Sequence, residues 1–469
     1  MSAHRPRGGS VPVVARPLGE RAHGAASGSS ADWRGRLPFF YGWLIVAGSL
    51  LALGITYSVM YSFAVFYVAL LEEFGWGRGE TAGIYSAFMI VTGIGALGAG
   101  ILADRFGPGR VLACGGALLA VGLFACSRIS ALWHLYLSFG VVVALGVSLA
   151  GWTPCVTMIN RWFSVRLGFA LGIASAGIGV GIMLVVPAVQ FLIGAFGWRT
   201  AFAALAGFVF TGLLPVGLIL LKGRPEDLGQ IRDGVGADTA TRQRPKKPRT
   251  ARNLEVVDSA WASRDWTLGA AARTWRLWLL SALKLLGGIA TQMVFVHQVV
   301  YLVDSGYDRM LAASVVGLIG LLSVGAKIFW GWAADTIGRE MTYTLGCTAM
   351  VLAVVLLGLT RVVPHPGMLY FYAAVFAIGY AVSAPLWPVV TSDLFAGKNF
   401  GAIYGLVTVF NGFGNALGAW LGGYVFDVTG SYTIAFGAAV VAKALSAGAL
   451  WIVAPSKVRR VRRVLLPSA

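Results

Sequence analysis

Twelve apolar runs, at approximately residues 40–68, 80–103, 110–128, 132–158, 167–195, 199–221, 275–303, 310–334, 341–361, 367–391, 400–426 and 431–454, decide the solvent in which this chain folds. Crossing the roughly 30 Å hydrocarbon layer of a bilayer takes about 20 helical residues. Helices satisfy their own backbone groups there, so runs of this length predict transmembrane helices. The chain is 57% hydrophobic and only 12% charged, with a mean hydropathy of +0.76, whereas a soluble core of this size needs far more surface charge. An all-α membrane protein with twelve transmembrane helices is expected.

The runs fall into two similar halves. Shifting the chain by 231 residues lays Gly306 on Gly75, Ala313 on Ala82, Gly331 on Gly100, Ala334 on Ala103, Asp335 on Asp104 and Gly338 on Gly107. A shift of 233 lays Gly401, Gly405, Gly412 and Gly414 on Gly168, Gly172, Gly179 and Gly181. The expected organisation is a disordered cytoplasmic tail (1–37), a six-helix bundle (38–221), a charged flexible linker (222–274), a second six-helix bundle (275–454) and a basic cytoplasmic tail (455–469). Residues 1–37 hold no apolar segment of the kind a secretory signal needs; a transit peptide shares their composition, but a disordered tail is the preferred reading. At the end of the linker, Asp265 to Arg273 is expected to form a short interfacial helix with Asp265 as N-cap and Trp266 and Leu268 facing lipid.

The formal net charge is +18, but its placement matters more than its size. With the N-terminus cytoplasmic, the outer loops hold only Arg78, Arg128, Arg199, Arg309 and Arg361, while the tails and linker hold most of the 37 Lys and Arg. Both termini and the linker are therefore expected inside, in a multi-pass protein of the cell inner (plasma) membrane. The basic surplus then reflects topology and attraction to anionic lipid, and no nucleic-acid partner is implied. Cys114, Cys126, Cys155 and Cys347 lie in apolar runs without metal-ligand spacing, so no metal or cofactor is expected. Without paired carboxylates, an H-E-x-x-H cluster, a nucleophile elbow or a nucleotide loop, the chain does not read as an enzyme.

Gly100, Asp104, Arg105, Gly107 and Arg110 spell G-x-x-x-D-R-x-G-x-x-R between the second and third runs, and Gly331, Asp335, Gly338 and Arg339 repeat it. Glycine supplies a tight turn, and a carboxylate there can hold a neighbouring helix end in one state and release it in another. This resembles the signature of the major facilitator superfamily, over Tyr41 to about Val453. The resemblance implies two bundles rocking about a midplane site, with Asp104, Arg105, Arg110, Asp335 and Arg339 as gating residues.

Residues 161–181, RWFSVRLGFALGIASAGIGVG, carry Trp162, Phe163, Arg166, Ala170, Gly172, Ala174, Ala176 and Gly177 in a pattern similar to the fifth span of monocarboxylate transporters and the related oxalate:formate antiporters. Gly172, Ala176 and Gly177, with Gly405 and Gly412 in the second half, are expected helix-packing positions, because small residues let helices approach closely in lipid. Against that family, the first-span lysine falls at Tyr61, the eighth-span arginine at Lys327 and its aspartate at Ser323. The second cation of oxalate exchangers falls at Asn411, which argues against a dianion.

No acidic residue lies in the interior of a run, so a buried Lys327 has no carboxylate at its own depth. Such an ammonium is driven to shed its proton or to hold an anion, and a lysine within a membrane span is a functional candidate. The expected substrate-binding set is Lys327, Tyr57, Tyr61, His297, Gln298, Trp387, Asn411 and Asn415, with Lys327 and His297 as proton-coupling candidates. Lys284 reads equally as a snorkelling or an inward group, and Lys443 as structural. The expectation is a monomeric secondary transporter of a small organic anion, a monocarboxylate by preference, with proton symport. Exchange against a counter-anion and efflux of an amphipathic compound are the alternatives.

Overall fold

The computed structural model describes residues 40–76, 78–217, 225–228, 230, 232–234 and 254–461. The expected N-terminal tail, the centre of the linker and the end of the basic tail lie outside the described residues. Among the described residues, eleven helices are long and apolar enough to span a membrane. One of them, Leu167–Pro215, has 49 residues, about 73 Å at 1.5 Å per residue, which is more than two bilayer cores. It is broken at Gly197, whose φ of 79° and ψ of 160° only glycine adopts readily. The break makes twelve helices in chain order: α1 (Gly42–Phe74), α2 (Arg78–Phe106), α3 (Pro108–Cys126), α4 (Leu132–Trp162), α5 (167–196), α6 (198–215), α7 (Trp275–Asp304), α8 (Arg309–Ile337), α9 (Arg339–Leu359), α10 (Pro366–Leu394), α11 (Phe400–Thr429) and α12 (Thr433–Val453).

The repeat seen in the sequence is a repeat of geometry. Gly107 (φ 89°) and Gly338 (φ 100°) turn the chain from α2 to α3 and from α8 to α9. Proline bends α4 and α10 at matching places. Pro154 cannot donate back to residue 150, and the helix breaks at Gly151; Pro385 cannot donate to residue 381, and the helix is interrupted at Val382. Within the halves, α1 packs along the 167–215 hairpin and α7 along α11; between them, α2 packs along α11 and α5 along α8. These cross-bundle pairs are close because their seams are glycine. A Cβ added at Gly172 would come within 2.7 Å of the Lys327 carbonyl oxygen, and one at Gly405 within 2.6 Å of that of Ala96. Gly412 faces Gly93 across the same seam, Gly177 packs on the Leu50 carbonyl of α1, and Ala176 is buried.

The linker departs from expectation. Its described parts are docked, not free, because they cap helix ends that are short of partners. The Asp233 carboxylate accepts from the Ser164, Val165 and Arg166 N–H groups at the start of α5, and Arg232 donates to the Asn160 and Phe163 carbonyls at the end of α4. Further on, Leu254–Val256 (β1) pairs antiparallel with Arg459–Val461 (β2), and Gln230 accepts from the Tyr41 N–H at the start of α1. Linker and both described chain ends therefore share one face, the basic face.

The short helix before α7 is Leu268–Ala272, and its N-cap is Thr267, not Asp265. Asp265 accepts instead from the Lys398 N–H in the α10–α11 turn. Trp266 does not face lipid: it is buried between Trp261 and Phe395, while the Trp261 indole donates to the Leu394 carbonyl. The tail of α10 offered an apolar socket with an unpaired carbonyl, a better place for two indoles than the membrane surface.

The break between α5 and α6 gives a direct test. Gly197 has open space around it, so Gly197→Ala meets only the backbone penalty of its conformation, about 1–3 kcal/mol. Denaturation of the purified protein should show that loss, whereas Gly194→Ala, which also meets nothing but lies at ordinary helical φ, should change stability little.

Candidate functional site

Two carboxylates hold the bundles together at the basic face. Asp104 at the end of α2 accepts the N–H groups of Gly401 (3.1 Å) and Ala402 (2.8 Å) in the first turn of α11. Asp335 at the end of α8 accepts those of Gly168 (3.2 Å) and Phe169 (2.9 Å) in the first turn of α5. Each replaces an N-cap that the receiving helix lacks, since neither Asn399 nor Arg166 caps its own helix with its side chain. Unsatisfied donors and the positive helix end both favour a carboxylate there. The glycines of the signature make the approach possible, because any Cβ at Gly100 or Gly331 would collide with the facing Gly401 or Gly168 backbone.

The charges behind the two carboxylates differ. Arg161 of α4 lies 3.9 Å from Asp104 and donates to the Ala103 carbonyl. Arg339 is buried and bridges Asp335 (3.2 Å) and Asp393 of α10 (2.9 Å). Between them the Ser392 hydroxyl donates to Asn160 Oδ1 across the bundles at 2.6 Å. Arg105 and Arg110, expected in the gate, are exposed, and Arg105 lies over the Phe106 ring. Arg161, Asp393 and the four backbone donors escaped sequence reasoning because the repeat by itself does not say which helix end the aspartate meets.

A second meeting point lies near the midplane. Lys327 is ten residues from the end of α8, about 15 Å along the axis, and is only 5% exposed. Its Nζ stands 5.9 Å from the centre of the Tyr380 ring on α10. Tyr57 and Tyr61 of α1 and Tyr85 of α2 are neighbours of Tyr380 across the bundle interface. Tyr57 also neighbours Tyr404 of α11, which accepts the Trp152 indole N–H of α4 at 2.6 Å. Among the described residues no ion pair joins Lys327 to a carboxylate. Ser323, at the family's aspartate position, is buried and donates to the Gly320 carbonyl.

The other predicted residues separate from this cluster. His297 Nε2 donates to the Ala419 carbonyl of α11 at 2.9 Å and its ring packs on Tyr432. Gln298 accepts from Tyr372 at 2.6 Å and donates to the Phe295 carbonyl, inside the second bundle. Trp387 packs on Tyr343. Asn411 and Asn415 are partly buried and line the α7 seam at Gly288. Lys443 donates to Thr291 at 3.2 Å, within the second bundle. Tyr85, Tyr380, Tyr404 and Trp152 were not expected: an aromatic in an apolar run gives no sign of which way it points.

The Major Facilitator Superfamily profile matches residues 49–363 and 324–464. The chain belongs to that superfamily, as a multi-pass membrane transporter and not an enzyme. It is 28% identical over 433 residues to monocarboxylate transporter 12 of Rattus norvegicus, covering 88% of this chain and 84% of the relative. It is 28% identical to monocarboxylate transporter 13 of Bos taurus, covering 84% and 85% of the two chains. The fold matches that of the proton:xylose symporter XylE bound to 6-bromo-6-deoxy-D-glucose, with a TM-score of 0.65 at 13% identity over 88% of this chain and 95% of that one.

The unequal support behind the two carboxylates has a measurable consequence. Asp335→Asn disturbs a buried Asp–Arg–Asp cluster and is expected to cost about 3–5 kcal/mol. Asp104→Asn loses mainly charge on its two hydrogen bonds and should cost about 1–3 kcal/mol. Unfolding midpoints of the two variants should fall in that order; equal midpoints would show that Arg339 is held by Asp393 alone.

Proposed function

We propose that the protein carries a small organic carboxylate across the membrane by alternating access, with the substrate carboxylate held by Lys327. The observation that carries this reading is the Lys327 ammonium, buried at the bundle interface against Tyr380 and without a carboxylate among the described residues. An anion is the partner such a group lacks, and phenol hydroxyls from both bundles supply donors for its remaining oxygens. Similarity to proteins named monocarboxylate transporters supports the substrate class.

The basic face is cytoplasmic in this proposal, and the structure represents the state closed on that side. Asp104 and Asp335 act on the balance of states, because they grip the opposite bundle far from Lys327. Leaving the α5 and α11 N-termini lets the bundles part. The proton travels with the substrate on Lys327. His297, engaged by Ala419, has a packing role in this reading and no part in proton transfer.

Lys327→Ala is expected to abolish carboxylate uptake while the protein still inserts and folds, and Lys327→Arg to keep part of it, since the charge survives and the head-group geometry changes. Wild-type rates in the alanine variant would remove the anchor. Coupling is read in proteoliposomes without internal substrate. Uptake from an acidic exterior, accompanied by internal acidification, is expected; uptake that appears only with a preloaded counter-anion and no internal pH change would establish exchange instead.

A further inference from the structure

The site holds a second buried ammonium. Lys284 lies nine residues into α7 from Trp275, about 14 Å along the axis, close to the depth of Lys327 measured from the same ends of the helices. It is 6% exposed. Its only described hydrogen bond is a long one, 3.4 Å, to the Tyr404 hydroxyl, whose ring centre stands 5.0 Å from Nζ. That oxygen already accepts the Trp152 indole at 2.6 Å. An ammonium has three donors, and here two remain unused and one is poorly used, with no ion pair to a carboxylate among the described residues.

Its neighbours set Lys284 apart from Lys443. Lys443 is tied to Thr291 and lies over Tyr343, wholly inside the second bundle. Lys284 instead reaches the bundle interface: Tyr404 meets Trp152 of the first bundle and neighbours Tyr57, and Tyr57 neighbours Tyr380, over which Lys327 stands. Each of the two lysines thus stands over a tyrosine ring, Lys284 over Tyr404 and Lys327 over Tyr380. One carboxylate compensates one ammonium and leaves the other buried and unmatched.

We propose that Lys284, positioned by Tyr404 and Trp152, is a second anion-binding group, and that the preferred substrate is a short dicarboxylate with one end on Lys327 and the other on Lys284. This assignment rests on the reading of Lys327 as the anchor of the first carboxylate.

The test is equilibrium binding to the purified full-length protein, with malonate and succinate compared with propionate and butyrate. The wild type should bind the diacids at least tenfold more tightly. Lys284→Met keeps the length of the side chain and removes a buried charge; it should abolish that preference while monoacid affinity stays within about twofold. Lys284→Gln, which keeps a hydrogen-bond donor, should behave likewise and serves where the methionine variant does not fold. A wild type without diacid preference, or a preference that survives both substitutions, overturns the proposal. Lys327→Ala separates the two readings: loss of both ligand classes supports the anchor, whereas retained binding removes the anchor independently of what Lys284 does.

Discussion

Each bundle caps a helix of the other. Asp104 and Asp335 do for α11 and α5 what an N-cap side chain does within a single helix, and in doing so they join two halves that also meet along glycine seams. In a membrane, helix association has no hydrophobic drive, so directed hydrogen bonds and close van der Waals contact carry it. The interaction needs a short carboxylate at the end of one helix, a free helix start opposite, and no Cβ between them. Positions 100, 331, 168 and 401 are glycine for that third reason. Such a contact is strong when made and has few substitutes when lost.

The two-fold pattern extends beyond the spans. Arg232 donates to the Asn160 carbonyl, and Arg459 donates to the carbonyl of Ser392, while Asn160 and Ser392 bond to each other. Asp233 and Asp265 receive the N–H groups of Arg166 and Lys398 in the corresponding turns. Linker and C-terminal strand thus finish the ends of both bundles at the face where they touch. The basic residues on this face include Arg232 and Arg459, which are fixed to backbone carbonyls.

At the midplane the asymmetry between halves matters more than the symmetry. The position of Lys327 is Ala96 in the first half, and the buried lysines Lys284, Lys327 and Lys443 all belong to the second. The first bundle answers with Tyr57, Tyr61, Tyr85 and Trp152. The second bundle supplies charge and the first supplies neutral hydrogen-bonding and stacking groups to the interface between them.

Sequence alone determined that this is a helical membrane protein of two related halves, because span length and the 231-residue register depend only on local composition and order. It determined Lys327 as the outstanding polar residue for the same reason: charge inside an apolar run is visible without coordinates. The partners of those residues were decided only by tertiary structure. That His297 turns to α11, that Trp266 is buried beneath α10, and that Tyr380 and Tyr404 face the lysines follow from how the helices rotate against one another. In spans that are apolar all round, with no polar stripe to mark the inner face, the sequence does not encode that rotation; it is set by the packing of glycine seams between helices far apart in the chain.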